Sequence, residues 1–358
     1  MIQKRKADHL KLCAEEDVDA SWNNWDDIQL LHSAIPRCDL ESVDTSCVFL
    51  EKKLSAPIII SGMTGGHPMA EKVNKNIAMA AEEYGIGMGV GSQRAAIEQP
   101  KLESTYSVVK KYDIPLILAN LGAPQILPSV SGYGMDEAKK AMDMVGAHVL
   151  ALHLNYLQEV VQPEGETHAE GLLDSLAELC KNVSVVAKET GAGMTRDTVL
   201  SLKNAGVNGV DVGGAGGTSF AAVEVYRARA AGDMSLESLG EMLWNWGVPT
   251  PVAVLEAKES GLPMIATGGI RNGMDAVKSL ALGANTAGIA RILLGPAMKG
   301  AKETSDAVDV LIKELKTVMF LSGAATVEEL KYIPWFSFEP GRTWLTALGH
   351  DWKYPGKR

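Results

Sequence analysis

Eight times along this chain a short apolar run ends in glycine or small polar residues, and that repeat leaves few folds open. The runs are PIII before SGMTGG, GIGMGV before GSQR, PLILAN before LGAP and HVLALHLN before YLQE. SVVAKE before TGAG, GVDV before GGAGGT, PMIAT before GGIR and TAGIA before RILL complete the set. Amphipathic stretches of helical length lie between most of them, for example 69–84, 170–181, 195–205 and 274–282. Strands alternating with helices predict a parallel sheet. The runs are apolar almost throughout, as strands covered on both faces must be. Eight is the number that closes a (β/α)₈ TIM barrel; an open doubly wound sheet is the alternative. The expected organisation is one domain, with the barrel over 56–300. Residues 1–55 form an N-terminal arm and extension, and residues 301–358 a C-terminal helical extension with Trp335, Trp344 and Trp352.

In such a barrel the site lies at the C-terminal ends of the strands. Those ends carry Thr64, Ser92 with Arg94, Asn120, His153 with Asn155, Lys188, Thr218, Gly268 to Arg271, and Ala290 with Arg291. The last two loops are informative together. In LPMIATGGIRNGMDAVKSLALG, Asn272 is placed to cap a helix that stops at Gly283. Glycines before a helix N-terminus leave backbone N–H groups bare, a surface that attracts anions. Lys188 ends a buried strand, where lysine rarely stands unpartnered; it either serves a site or pairs with Glu189. Thr64 and Asn120 can equally be turn residues. His153 and Asn155 share one strand face, with Gln158 and Glu159 just beyond. Each admits a structural reading, but a carboxylate beside a phosphate site is also how Mg²⁺ is commonly held. The basic RKADH segment is either a solvated tail or an arm whose Arg5, Lys6 and His9 close over a polyanion.

Composition narrows the partners. The net charge of −10 argues against a general nucleic-acid binder, while a local basic cluster still suits a small anion. No run approaches the ~20 apolar residues of a membrane span. Cysteines 13, 38, 47 and 180 show no C-x-x-C pairing, and no leader pattern is seen at the N-terminus. Reduced thiols in a cytoplasmic protein are expected.

The motifs RKADH, SGMTGG, GSQR, HLNYLQE, VAKETGAGM, DVGGAGGTSF and TGGIRNGMDAVKSLALGA occur in order from about residue 5 to 295. In that order they resemble the type 2 isopentenyl-diphosphate delta-isomerases, within the wider FMN-binding (β/α)₈ oxidases and dehydrogenases. The resemblance implies FMN contacts at Gly62, Met63, Thr64, Ser92, Asn120, Lys188, Thr218, Gly268, Gly269, Ile270, Arg271, Ala290 and Arg291. It implies diphosphate contacts at Arg5, Lys6, His9, Ser92, Gln93, Arg94, His153, Asn155 and Gln158, and a Mg²⁺ ligand at Glu159. The implied reaction shifts a double bond with no net redox. Reduced FMN acts as acid and base, NADPH as reductant, and Gln158, Lys188, Glu224 and His153 as catalytic candidates. A homo-oligomer, tetramer or octamer, is implied as well. Two departures stand out: Ser219-Phe220 where the family usually has tryptophan, and DVGG for the more usual DVSG. An FMN-dependent oxidoreductase on the same barrel is the rival reading.

Overall fold

The computed structural model describes residues 2–356. Eight parallel strands close in sequence order. They are β1 (Ile58–Ile60), β2 (Gly87–Gly89), β3 (Ile117–Gly122), β4 (Val149–Leu154), β5 (Val185–Glu189), β6 (Gly209–Asp211), β7 (Met264–Thr267) and β8 (Thr286–Ile289). The ring closes where Ile289 of β8 stands opposite Ile60 of β1. All eight apolar runs of the sequence are therefore barrel strands.

Strand alternation builds two cores. Ile58, Ile60, Leu150, Leu152, Val185 and Ala187 pack outward with the helices. Ile59, Leu118, Ala151, Val186 and Ile265 form a second cluster with Leu116, Val149, Phe49 and Leu54. Phe49 and Leu54 come from a hairpin, Cys47–Phe49 paired with Lys52–Leu54. Leu116 and Val149 mark the starts of their strands, so this hairpin stoppers the N-terminal end of the barrel.

The two extensions join. Strand Ile28–Leu30 pairs antiparallel with Trp335–Ser337, which pairs in turn with Lys353–Tyr354. The expected helices after the barrel are Ala301–Ser322 and Gly341–Ala347. Of the two readings of the basic segment, the solvated tail is not what the structure shows. Residues Ile2–Glu15 are a helix, and Leu10 is buried in the main core. Packing on the barrel mouth gives this short, polar segment the tertiary support that its own propensity lacks.

Candidate active site

Loops from all eight strand ends and the N-terminal helix enclose a cavity of about 650 Å³, within the size range of cofactor and ligand sites. Every residue predicted for the site lines it except Gln93 and Glu224.

One side is built of glycine. Gly268 and Gly269 have φ of +118° and +69°. A Cβ on Gly268 would lie 2.2 Å from the Gly214 carbonyl, and one on Gly269 2.6 Å from that of Gly216. No L side chain fits there, so the two glycine loops pack backbone on backbone. As predicted, Asn272 caps the next helix by accepting from the Asp275 amide at 2.9 Å, and the helix ends at Gly283. Among the described residues nothing accepts a hydrogen bond from the amides of Gly269 or Ala290. Bare amides beside a helix N-terminus are the fit expected for a phosphate.

A segment the sequence reading did not single out covers these loops. Residues 18–25 lie across them as a strap. Asn23 Nδ2 donates to Gly269 O at 2.7 Å, and Trp25 Nε1 to Gly268 O at 2.9 Å. Asn24 Nδ2 donates to Ala215 O at 2.8 Å, and the Ala20 amide to Gly217 O at 2.8 Å. The two cradle arginines grip the same region. Arg271 binds Asp26 and Asp275, and these carboxylates raise its pKa. Arg291 donates to the carbonyls of Cys13 and Glu16, each at 2.9 Å, and pairs with Asp19. Arg291 thus holds the C-terminal end of the N-terminal helix, where a cation is favoured.

The other side is cationic. Lys6 Nζ donates to Ser92 O at 2.7 Å and lies 3.2 Å from the Tyr106 hydroxyl. Burial, and then the neighbouring Arg5, bring the Lys6 ammonium down to about 7. His153 Nδ1 is 2.7 Å from Asn120 Oδ1. Burial first, then Lys188, Lys6 and Arg5, depress the imidazole to about 3. Burial is the larger cause, and the cations beside the imidazole add a positive potential that suits an anion. Arg94 lines the same cavity with its guanidinium on Glu98.

Helix Tyr156–Val161 carries the acid of this half. Glu159 accepts from Asn155 Nδ2 at 2.8 Å, from the Glu166 amide at 2.7 Å and from Gln162 Nε2 at 3.4 Å. Asn155 Oδ1 is buried without a hydrogen-bond partner. Among the described residues no three His, Cys, Asp or Glu side chains gather to hold a metal. A cation here has one carboxylate and one orphaned amide oxygen, hard donors that suit Mg²⁺ when phosphate oxygens complete its shell. Glu224 stands behind the wall, fully buried, 2.7 Å from His9 Nε2 and 2.6 Å from an Arg227 nitrogen. Gln158 links it to the cavity, with Nε2 3.4 Å from Glu224 Oε1.

One expectation, at Gln93, and one alternative, at Lys188, are corrected. The Gln93 side chain contributes nothing to the cavity. It is wholly buried, donating to Ala141 O at 2.7 Å and accepting from the Asn120 amide at 2.8 Å. Its role is to hold β3 beside the β2 loop. Lys188 pairs with Asp211 at 3.3 Å, and takes only the main-chain carbonyl of Glu189. The Glu189 carboxylate turns away to accept from the amides of Thr190, Gly191, Ala192 and Gly193. Burial still pushes its carboxyl up to about 7. An acid ahead of Thr-Gly-Ala-Gly was a legible signal for such a nest.

Comparison with known proteins gives the family. The FMN-dependent dehydrogenase family matches residues 101–333. The isopentenyl-diphosphate delta-isomerase of Methanosarcina barkeri is 47% identical, covering 92% of this chain and 91% of its own. Those of Thermoplasma acidophilum and Archaeoglobus fulgidus are 42% and 43% identical over 97% of this chain and 100% and 99% of theirs. A crystal structure of a mandelate oxidase shares the fold, with a TM-score of 0.56 at 16% identity over 92% of this chain and 90% of that one. With glycine loops on one side of its cavity and cations on the other, this FMN-type barrel belongs to the isopentenyl-diphosphate delta-isomerase family.

Proposed function

We propose that the protein interconverts isopentenyl and dimethylallyl diphosphate by a 1,3-allylic proton shift, with reduced FMN as cofactor, Mg²⁺ on the diphosphate and NADPH as reductant. The observation that carries this reading is one cavity with two separate surfaces for anions. The glycine loops at the ends of β6, β7 and β8 suit the FMN phosphate. The cations Arg5, Lys6 and Arg94, with His153 and Asn155, suit a diphosphate.

When bound, reduced FMN supplies a nitrogen acid–base pair and an electron-rich face for a cationic carbon. The chain does the rest. Gly62, Met63, Thr64, Asn120 and Thr218 line the wall where the ring would lie, and Lys188 presents its ammonium there. Asn155 and Glu159 would offer oxygens to a Mg²⁺ ion, which would offset the charge of the diphosphate. His153, neutral, gives its Nδ1–H to Asn120 Oδ1, which leaves Nε2 as an acceptor that meets a phosphate only through a protonated oxygen. Gln158 and His9 connect the cavity to Glu224, a route for a proton in or out. Phe220 supplies an aromatic wall in the place of the usual tryptophan, 6.2 Å edge-on to His9. The N-terminal helix keeps water from the cationic carbon.

The test has two parts. Heat-released cofactor is identified by mass, with FMN expected. Isomerase activity is then assayed before and after reduction by dithionite. Activity only after reduction, without stoichiometric use of reductant, is the expected result. One reductant consumed per turnover would establish an oxidoreductase instead. A homo-oligomeric cytoplasmic enzyme completes the proposal. Light scattering tests the oligomer.

A further inference from the structure

Three neighbouring strands place His153, Lys188 and Asp211 at one level of the barrel. His153 stands opposite Lys188, and Lys188 opposite Asp211. Lys188 lines the cavity and Asp211 does not. Asp211 is 3% exposed, and its Oδ2 is 3.3 Å from Lys188 Nζ. Its other oxygen, Oδ1, is buried with no hydrogen-bond partner. A carboxylate retained in the interior with half its bonding capacity unused is there for its charge, since a neutral amide of the same shape would fill the space at less desolvation.

We infer that Asp211 is a positioning residue that holds the Lys188 ammonium in the cavity wall and offsets its charge, and thereby sets the reduction potential of the bound flavin. This rests on the FMN reading above. Two electrons and one proton convert the oxidised ring to its anionic reduced form, so a cation in the wall favours reduction. A carboxylate behind that cation opposes it. Few other charges compete. On β4 His153 faces Lys188, and on its own strand the Glu189 carboxylate is engaged by four amides. Lys6 and Arg5 enter from the N-terminal helix above.

The experiment titrates wild type, Asp211→Asn, Lys188→Met and the double variant against a reference dye, after counting FMN per chain. Asp211→Asn is expected to raise the midpoint potential by about 30 mV, a tenfold change for a two-electron couple. Lys188→Met is expected to lower it. In the Lys188→Met background the second substitution should move the potential little. A buried carboxylate with no cation beside it is driven to its neutral form, so its removal changes no charge. An unmoved potential in flavin-replete Asp211→Asn overturns the inference, as does an equal rise in both backgrounds. A merely structural role would lower melting temperature and flavin content yet leave the potential of the bound flavin unmoved. If Asp211→Asn does not fold, Asp211→Ser undergoes the same titration. Wild type without FMN would overturn the cofactor reading itself, which the flavin count separates from failure of this inference.

Discussion

His9 Nε2 lies 2.7 Å from Glu224 Oε1, so the helix over the barrel mouth is fastened to an acid buried behind the cavity wall. The same carboxylate is bonded to Arg227, whose guanidinium also reaches Glu164 at 2.7 Å. Glu224→Gln keeps the shape and removes the charge. The expected outcome is a fall in kcat of about 10²-fold or more, the usual scale for a lost proton relay, with flavin content preserved. Turnover near wild type would show Glu224 to be only an anchor for His9.

The cation site gives a second prediction. Glu159→Gln removes the carboxylate that Asn155, Gln162 and the Glu166 amide hold in place. A lost charge-assisted contact costs about 1.5–3 kcal/mol, or on the order of 10- to 150-fold in affinity. A Mg²⁺ titration of isomerase activity should shift to higher concentration by that factor, with flavin absorbance unchanged. An unaltered Mg²⁺ dependence would make Glu159 a structural residue.

A third prediction concerns pH. In the ligand-free protein the Lys6 ammonium, normally at 10.5, is lowered to about 7. As pH rises through 7 the arm loses a charge, and kcat/KM for the diphosphate should fall. Lys6→Arg, which stays protonated, should move that fall to higher pH. Stability runs the other way. Between about 7 and 10.5 the unfolded chain binds more protons at Lys6 than the folded one, so its contribution to stability rises with pH. His153, held near 3 by burial and three cations, stays neutral across pH 5–8. It should give no acid limb in that range. A flat profile across pH 7 in wild type would contradict the assignment of Lys6 to the diphosphate.

The strap over the glycine loops supplies the fourth. Asn23 and Trp25 each donate one hydrogen bond to a cradle carbonyl. Losing such a bond costs about 0.5–1.5 kcal/mol, roughly a 2- to 12-fold weakening. Asn23→Ala should raise the dissociation constant for FMN by that factor in a fluorescence titration of apoprotein, where Glu159→Gln should not. Equal affinities would mean that the cradle keeps its shape without the strap.

The eight strands, the capped helix at Asn272 and the glycine loops were legible in the sequence because each depends on neighbours along the chain. Strand runs, helical periodicity, caps and glycine turns are local matters, and the family motifs lie on those same loops. What the tertiary structure decided is what crosses the chain. Lys188 and Glu189 are adjacent in sequence, yet successive strand side chains point to opposite faces. Only the β5–β6 register sets Asp211 beside Lys188. Gln93 sits in a motif of site residues, but Asn120 and Ala141 turn its amide inward. The hairpin that stoppers the barrel turns at Leu50 and Glu51, both with positive φ, a conformation those residue types do not announce. The N-terminal helix and the strap behind it take their form from the barrel mouth, through partners such as Ser92, Glu224, Gly268 and Arg291 that lie 86 to 278 residues away. No periodicity in a short polar segment encodes partners at that distance; burial against the finished barrel creates them.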